Sequence, residues 1–465
     1  MDGLECSEIS LKSVLLRTDY FRLEAEYYNA KTFSFYNIVK AQVIAKKIKY
    51  GTSKACNEEK NGYPVLRLNE LHNCFIEEPS KYCHILSKDE FEELRLYKND
   101  VIIIRTNGNS DLVGRAAIIM EDTEYAFASY LFKVNVSDAI SPSTLVAFLN
   151  GKYGRMEIDK NSMKGNQTNF SPAKFRDINI PIICDKLQNS INLIFDNAYN
   201  LRIAAKNLYM DAQNTLSMKF KDYTSSVINK SSVKTFAESF GTTGRLDAEF
   251  YQPKYDKLFE NISRFKLSFL GGKNGLVNIQ KSIEPGSEYY QENGIPFIRV
   301  SDVNKFEISM PDIKLPKNIV TNIESLFPKR DTILFSKDGS VGIAYKVQND
   351  MKMITSGALL HLTVKNKGIV LPDYLTLVLN SPVVQMQAER DSNGAVIRHW
   401  KLSDIEKVVI PILDMDMQKE VSEKVQESFK LRQESKRLIE IAIKTVEMAI
   451  ETDEKAAIYW LKSTL

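Results

Sequence analysis

The stretch LQNSINLIFDNAYNLRIAAKNLYMDAQNTLSMKF (187–220) decides how this chain is organised. Its apolar residues recur every three or four positions, and neither Pro nor Gly interrupts them. This spacing predicts one apolar stripe on a long α-helix, close to the a/d seam of a coiled coil. The stripe consists of Leu187, Ile191, Ile194, Ala198, Leu201, Ala205, Leu208, Ala212, Leu216 and Phe220.

A second seam with a more polar middle lies near the end of the sequence. It consists of Val421, Val425, Ser428, Arg432, Ser435, Leu438, Ala442, Thr445 and Ala449. Each seam is too apolar to remain exposed alone. We therefore expect the helices at 187–220 and 417–450 to pack together as an antiparallel coiled coil.

The sequence before the first helix is repeated after it. RLEAEYY (22–28) returns as RLDAEFY (245–251), and a helix is predicted to begin directly after each copy, at Ala30 and at Pro253. NGYPVLRLNEL (61–71) returns as NGIPFIRVSDV (293–303). In this block the Asn-Gly pair and the Pro indicate a turn that leads into a strand.

Two further blocks follow in the same order. NDVIIIRTNGNSDLVGRAAII (99–119) matches RDTILFSKDGSVGIAYKV (330–347), and each has the pattern of a β-hairpin with a polar tip. FRDINIPII (175–183) matches LSDIEKVVIPIL (402–413), and each copy stands just before a long helix. Four blocks in one order indicate an internal duplication.

The chain therefore divides into two similar halves, each a domain followed by a helix. We predict an N-terminal extension (1–20), a first domain (21–185), a central helix (186–222), a linker (223–243), a second domain (244–412), and a C-terminal helix with its tail (413–465). The predicted fold class is α+β, with two tandem mixed α/β domains separated by two long helices in a pseudo-two-fold arrangement.

Composition fits a globular protein of 465 residues, with 43% hydrophobic residues, 26% charged residues and a net charge of +3. The near-neutral balance neither requires nor excludes nucleic acid, because binding depends on where Lys and Arg are placed. No apolar run is long enough for a transmembrane helix, and the N-terminus does not resemble a signal peptide. With its five cysteines all in the first half, we expect a cytoplasmic protein.

Motifs for catalysis are weak. The sequence lacks the phosphate-binding motif G-x-x-x-x-G-K-[ST], and the glycine pair at 240–244 is better explained as a linker. The stretch at 380–383, Asn-Ser-Pro-Val, is a poor match for the catalytic tetrad of amino-methyltransferases and more simply ends a helix. Zinc could in principle bind His72, Cys74, Cys83 and His84, but the spacing fits no known finger and the second half lacks these residues. We expect no catalytic residue and no metal site.

Polar loops offer recognition chemistry instead. Each predicted hairpin tip, and a second loop before the last strand of each half, carries residue types that read base edges and phosphates. We predict that DNA contacts come from Arg67, Arg105, Asn107, Asn109, Arg115, Lys160, Lys164, Asn166 and Gln167 in the first half, and from Arg299, Ser336, Lys337, Asp338, Ser340, Lys346, Arg390, Asn393 and Arg398 in the second. The simpler alternative is that these are ordinary solvated loops.

The chain resembles the specificity subunit of type I restriction–modification enzymes over nearly its whole length, outside residues 1–20 and the tail after about 450. The resemblance rests on RLDAEFYQPKY (245–255), NGIPFIRVSD (293–302), DTILFSKDGSVG (331–342), LPDYLTLVLNS (371–381) and SDIEKVVIPI (403–412), with weaker copies in the first half. It implies that each half holds a target recognition domain of mixed α/β fold that reads one half of a bipartite, gapped DNA sequence.

The resemblance also implies partners and cofactors. Such a subunit assembles with two modification subunits, which methylate adenine using S-adenosylmethionine, and with restriction subunits that use ATP and Mg²⁺. The chain itself then needs no cofactor. Two alternatives stay open on the sequence, namely a fused methyltransferase or nuclease, and a duplicated coiled-coil scaffold that binds only proteins.

Overall fold

The chain is described by a computed structural model that covers residues 8–17, 23, 25–163, 167–220, 231–394 and 398–465. It separates into two compact units, one formed by Met1–Ile203 with Leu431–Leu465 and the other by Ala204–Lys430. Among the described helices, none combines the length and apolar character needed to cross a bilayer.

The described residues of unit 1 form these helices before the central one: Leu11–Arg17 (α1), Ala25–Asn29 (α2), Ala41–Ile44 (α3), Lys88–Leu94 (α4), Pro142–Asn150 (α5), Lys152–Asn161 (α6) and Pro172–Asp177 (α7). Its strands are Ile38–Lys40 (β1), Ala45–Tyr50 (β2), Tyr63–Leu66 (β3), Leu71–His72 (β4), Phe75–Ile76 (β5), Lys81–Cys83 (β6), Val101–Ile104 (β7), Thr106–Asn107 (β8), Ala116–Ile118 (β9), Ala126–Phe127 (β10), Leu131–Val136 (β11), Thr168–Asn169 (β12) and Asn179–Pro181 (β13).

The central helix, Asp185–Phe220 (α8), is followed in unit 2 by the helices Phe240–Thr243 (α9), Pro253–Ile262 (α10), Pro372–Leu379 (α11), Pro382–Asp391 (α12) and Leu402–Ile405 (α13). The strands of unit 2 are Lys266–Phe269 (β14), Val277–Gln280 (β15), Ile295–Ile298 (β16), Lys314–Leu315 (β17), Ile333–Ser336 (β18), Ala344–Lys346 (β19), Ile354–Thr355 (β20), Leu359–Val364 (β21) and Val409–Ile412 (β22). The second long helix is Met415–Glu451 (α14), and the predicted tail contains a further helix, Glu454–Thr464 (α15).

The two units repeat one sheet topology. Unit 1 has a four-stranded sheet in the order β2-β11-β7-β9, and unit 2 has β15-β21-β18-β19. A three-stranded sheet, β10-β3-β6 in one unit and β17-β16-β20 in the other, contains one parallel pair in each. The central strands are antiparallel, with Leu131 opposite Ile104 and Leu359 opposite Ser336. The predicted duplication and fold class are confirmed.

The long helices run antiparallel within each unit. In unit 2 the Ser428 hydroxyl donates to the Ala205 carbonyl at 2.6 Å, and Lys424 lies 2.8 Å from Asp211. In unit 1 the Ser435 hydroxyl donates to the Ala198 carbonyl at 2.7 Å. Eight of the nine residues in the second predicted seam are buried, namely Val421, Val425, Ser428, Ser435, Leu438, Ala442, Thr445 and Ala449. Buried serines therefore pair with helix carbonyls, which satisfies their hydroxyls inside an apolar seam.

One predicted helix start is wrong. In unit 2 a helix begins at Pro253, but in unit 1 α2 ends at Asn29 and no helix begins at Ala30. Pro253 fixes the backbone angle that a first helical turn needs, whereas Ala30 does not. The segment after Ala30 instead places Phe33 against the rings of Phe148 and Tyr153, with centroids 5.8 and 5.5 Å away.

An asparagine at the end of the first helix of each pair holds the hairpin beside it. Asn380 accepts from the Ala344 N–H at 3.0 Å and donates to the Ala344 carbonyl at 2.7 Å. Asn150 makes the same two bonds to Ala116, at 3.2 and 2.8 Å. The side-chain amide of each asparagine therefore bonds to the second hairpin strand, β9 or β19, in the way that the backbone of a neighbouring strand would. The helix end predicted at 380–383 is confirmed, because α11 stops at Leu379.

We expect Asn380→Ala to destabilise the protein by about 1–3 kcal/mol, because it leaves the backbone groups of Ala344 without partners. The free energy of unfolding, measured in urea, tests this. Asn349→Ala, at an exposed position, is the matched control and should change stability by less than about 0.5 kcal/mol. Equal losses in the two variants would contradict the role given to Asn380.

His361 makes stability depend on pH. Its side chain is 4% exposed on β21, and Nε2 lies 2.8 Å from the Thr355 hydroxyl. Burial lowers the pKa of His361 from 6.5 to about 4. The folded protein therefore keeps this ring neutral over a pH range in which the unfolded chain binds a proton.

It follows that the contribution of His361 to stability should fall as the pH drops from about 6.5 towards 4, by an amount on the order of 3 kcal/mol at most, and that this contribution should stay constant below 4. Urea unfolding at stepped pH values measures this slope. His361→Gln should flatten it, whereas His84→Gln, at an exposed position, should not. A slope unchanged in His361→Gln would argue against the assignment.

Candidate nucleic-acid interface

In unit 1 the two predicted polar loops meet. The short strands β8 and β12 pair antiparallel, with Thr168 opposite Asn107. The Phe170 N–H also donates to the Arg105 carbonyl at 2.7 Å. The hairpin tip and the loop that follows α6 thus form one surface, which the sequence predicted as two separate loops.

Unit 2 joins its loops in the same way. Asp338 and His399 form an antiparallel bridge, and the Gly339 N–H donates to the Arg398 carbonyl at 2.9 Å. The Trp400 N–H donates to the Lys337 carbonyl at 2.8 Å. The two polar surfaces are therefore built on the same backbone framework.

Arg105 and Lys337 occupy equivalent positions in these frameworks. Each is the residue directly after the first hairpin strand. Each donates its N–H to a residue that precedes the adjacent strand, Tyr130 at 2.8 Å and Ala358 at 2.9 Å. The carbonyl of each accepts from the aromatic residue that comes after the second loop. Both surfaces therefore carry a cation where the strand leaves the sheet.

The side chains around Arg105 fix the first hairpin tip. Its guanidinium lies 5.4 Å from the ring centre of Tyr50, and its Nε–H has no hydrogen-bond partner among the described residues. The Asn107 side-chain oxygen accepts from the Asn109 N–H at 2.8 Å, which closes a tight turn. Arg115 is exposed and donates from Nε to the Asp111 carbonyl at 2.8 Å. These residues present a basic, turn-stabilised tip.

The second surface centres on Asp338. Lys337 contacts its carboxylate, and His399 Nδ1 lies 2.9 Å from the other oxygen. The side chain of His399 is 64% exposed. His399 is not among the DNA contacts predicted from the sequence, which missed its place in this surface. Lys337 offsets the charge of Asp338, which reduces the repulsion that a phosphate would meet here.

Two helix residues support the hairpins from behind. Arg155 donates from Nη1 to the Val113 carbonyl at 2.6 Å, and Gln385 donates to the Gly342 carbonyl at 2.7 Å. Both occupy the fourth position of their helices, α6 and α12. Sequence reasoning missed both residues, because a long polar residue in a helix does not reveal which loop it reaches.

Two predicted contact residues are buried instead, which corrects their assignment. Ser336 is completely buried, and its hydroxyl donates to the Ser340 carbonyl at 2.5 Å and accepts from the Ile343 N–H. Lys346 lies in the core, 3.0 Å from Asp373 and 3.4 Å from Asp331. Burying an unpaired ammonium is costly, and these carboxylates compensate its charge. Neither side chain reaches a surface that DNA could touch.

Several other predicted residues have defined surroundings. Gln167, Ser340, Asn393 and Arg398 are exposed on the joined loops, whereas Lys160 and Arg390 are half-buried at the ends of α6 and α12. Arg67 and Arg299 lie at the start of short 3-10 turns after β3 and β16, where Glu70 and Asp302 cap the backbone. Lys164 and Asn166 lie outside the described residues.

The structure does not bring the four candidate zinc ligands, all of them described residues, together in one cluster. Within the part of the chain that the structure describes, no cluster of three or more His, Cys, Asp or Glu side chains could hold a metal. Cys74 and Cys83 belong to different hydrophobic clusters. Burial raises the pKa of the Cys74 thiol to about 12.

Comparison with known proteins supports the interpretation of these surfaces as a nucleic-acid interface. Residues 274–443 match the family model described as the type I restriction modification DNA specificity domain. This match lies entirely within the second half of the chain. The resemblance stated from the sequence is therefore confirmed.

Two curated relatives are similar over part of the chain. The specificity subunit of the type I restriction enzyme EcoBI from Escherichia coli is 25% identical over 162 residues, which is 34% of either chain. The specificity subunit of the type I restriction enzyme StySPI from Salmonella potsdam is 24% identical over 140 residues, 30% of either chain. The matched stretch thus spans about a third of the relatives' length.

A solved structure, the S subunit of a type I restriction–modification system from M. genitalium, aligns over 90% of this chain and 98% of its own, with 12% identity and a TM-score of 0.38.

Proposed function

We propose that this chain is the DNA sequence-reading subunit of a type I restriction–modification complex, and that it has no catalytic activity of its own. One observation carries the proposal most strongly. The two units share one topology, and in each of them two polar loops are joined. Where the first hairpin strand leaves the sheet, unit 1 carries the cation Arg105 and unit 2 carries the cation Lys337. The match of residues 274–443 to the DNA specificity domain supports DNA as the binding partner of this chain.

Each joined-loop surface would read one half of a bipartite, gapped target. Basic groups at a strand exit suit phosphates, while amide and guanidinium groups such as those of Gln167, Asn393 and Arg398 suit base edges. The frameworks agree while the exposed side chains differ, so the two half-sites should differ in sequence. Ser336 and Lys346 have no direct part in this reading.

Partners would supply the chemistry. As the family resemblance implies, two modification subunits would methylate adenine with S-adenosylmethionine, and restriction subunits would use ATP and Mg²⁺. Two units of one topology offer two similar docking surfaces, which supports two modification subunits per chain.

The most direct test is to map methylated adenines in DNA from cells that carry this chain with its modification subunit. We expect one gapped motif whose two halves differ. A continuous motif, or no motif that depends on this chain, would count against the proposal.

Charge removal at the strand exits should weaken DNA binding by the assembled complex. If Lys337 contacts a phosphate, Lys337→Gln should weaken binding to all sequences and lower the salt slope by about one. If it reads a base, the variant should cost about 1–3 kcal/mol and relax one position. Arg105→Gln should act likewise.

Binding isotherms at several salt concentrations distinguish these outcomes. Lys455→Gln, an exposed lysine on α15, is the matched control and should leave the slope unchanged. Wild-type binding by an Arg105→Gln, Lys337→Gln double variant would show that these surfaces do not face DNA.

The isolated chain should transfer no methyl group and cut no DNA. Incubation with S-adenosylmethionine, or with ATP and Mg²⁺, in the presence of target DNA tests this, with the assembled complex as the positive control. Turnover that persists through purification and is lost on mutating this chain would contradict the proposal.

The assembled complex should contain two modification subunits for each copy of this chain. Native mass measurement at saturating modification subunit checks the ratio. A single bound subunit at saturation would mean that the two units do not offer equivalent docking surfaces.

A further inference from the structure

The repeated motif before each domain was not among the predicted DNA contacts, yet in unit 2 it packs against the base of a joined-loop surface. Phe250 belongs to the motif RLDAEFY (245–251), and its ring lies 4.9 Å from the Arg390 guanidinium. Phe259 lies 4.8 Å from the same guanidinium. Arg390 also donates from Nε to Asp391 at 2.7 Å. The position of Arg390 is therefore fixed by two aromatic rings and one carboxylate.

Unit 1 repeats this contact with different residues. Tyr27 holds the same place in RLEAEYY (22–28) that Phe250 holds in its motif. Its buried ring lies 5.0 Å from the Lys160 ammonium. Lys160 and Arg390 are each the ninth residue of a ten-residue helix, α6 and α12. Both partners changed between the copies, and the pairing of a cation with an aromatic ring was retained.

The second polar loop of each unit begins just after this cation. In unit 2 the loop starts after Asp391 and closes through Asn393 and His399, whose backbone groups bond to each other at 3.0 and 2.7 Å. Arg245 of the motif reaches this loop as well, since its Nη2 lies 3.3 Å from the side-chain oxygen of Asn393. In unit 1 the loop closes through Met163 and Asn169, at 2.9 and 3.0 Å.

We propose that Tyr27 and Phe250 are positioning residues, which hold the stem of the second polar loop in the conformation that reads DNA. The role in reading rests on the proposed function, whereas the hold on the loop does not. A cation stacked on a ring is most favourable when partly desolvated, as at these helix ends. Because the stem is already held in place, the loop loses less conformational entropy when it binds DNA. Lys160 and Arg390 then act through the loops they support.

Hydrogen exchange on the full-length chain tests the hold without DNA. Phe250→Leu should raise the exchange rates of the Asn393 and His399 amides by roughly tenfold. The Met163 and Asn169 amides of unit 1 are the internal control and should not change. Tyr27→Leu should produce the opposite pattern. Phe250→Tyr, which carries the residue of unit 1, should retain slow exchange, as should Arg390→Lys.

The same variants in the assembled complex test the consequence for reading. Phe250→Leu should relax the methylated motif in one half-site only, and Tyr27→Leu should relax it in the other half-site. Phe250→Tyr should keep the wild-type motif. A merely structural loss would lower overall activity without changing which bases are accepted.

The outcomes separate the two claims. Unchanged exchange at Asn393 and His399 in Phe250→Leu would overturn the positioning role. Exchange raised equally in both units would also overturn it, because the effect would then be general destabilisation. Raised exchange confined to one unit with an unchanged methylated motif would keep the hold on the loop and refute the reading of DNA by these loops.

Discussion

The backbone hydrogen bonds that join two loops in each unit are the interaction on which the candidate interface depends. The Phe170 N–H meets the Arg105 carbonyl, and the Trp400 N–H meets the Lys337 carbonyl. Neither bond involves a side chain, so neither restricts which side chains the loops display. A framework of this kind can keep its geometry while the exposed residues change, as the two copies do. Specificity and stability are then carried by different atoms of the same segments.

Side-chain clamps complete that framework, and they lie at one sequence offset. Asn150 and Asn380 hold the return strands, and Arg155 and Gln385 hold the hairpin tips. Gln188 and Gln418 accept from the Ser141 and Leu371 N–H groups at 2.7 and 2.9 Å. Every pair is 230 residues apart (380 − 150, 385 − 155 and 418 − 188). The two halves thus share polar groups that hold backbone N–H and carbonyl groups, where a lost partner is expensive.

Local patterns predicted much of this fold. The seam at 187–220, both hairpins and the strands that follow the Asn-Gly pairs at 61 and 293 were predicted from periodicity and from turn residues, because these features depend on neighbours in sequence. Other features depend on neighbours that are distant in sequence. These are the pairing of the two polar loops, the burial of Lys346 and the hydrogen bond from Arg155 to the hairpin tip. A lysine at the end of a strand, such as Lys346, looks the same in sequence whether it faces water or Asp373. The helix predicted at Ala30 is wrong for another reason. The prediction assumed that both copies of the repeat start a helix at this position, but only the second copy has proline there.

The tryptophans offer a use for one part of this arrangement. The chain has two, Trp400 and Trp460. Trp400 lies directly after the loop junction of unit 2, is 1% exposed and packs 5.7 Å from the ring of Phe335. Its indole N–H finds no hydrogen-bond partner within the described part of the chain. Indole emission responds to polarity and to nearby charge. A chain with phenylalanine in place of Trp460 would keep one intrinsic fluorophore, behind Lys337 and His399. Rearrangement of that junction could then be followed in real time without attaching a dye.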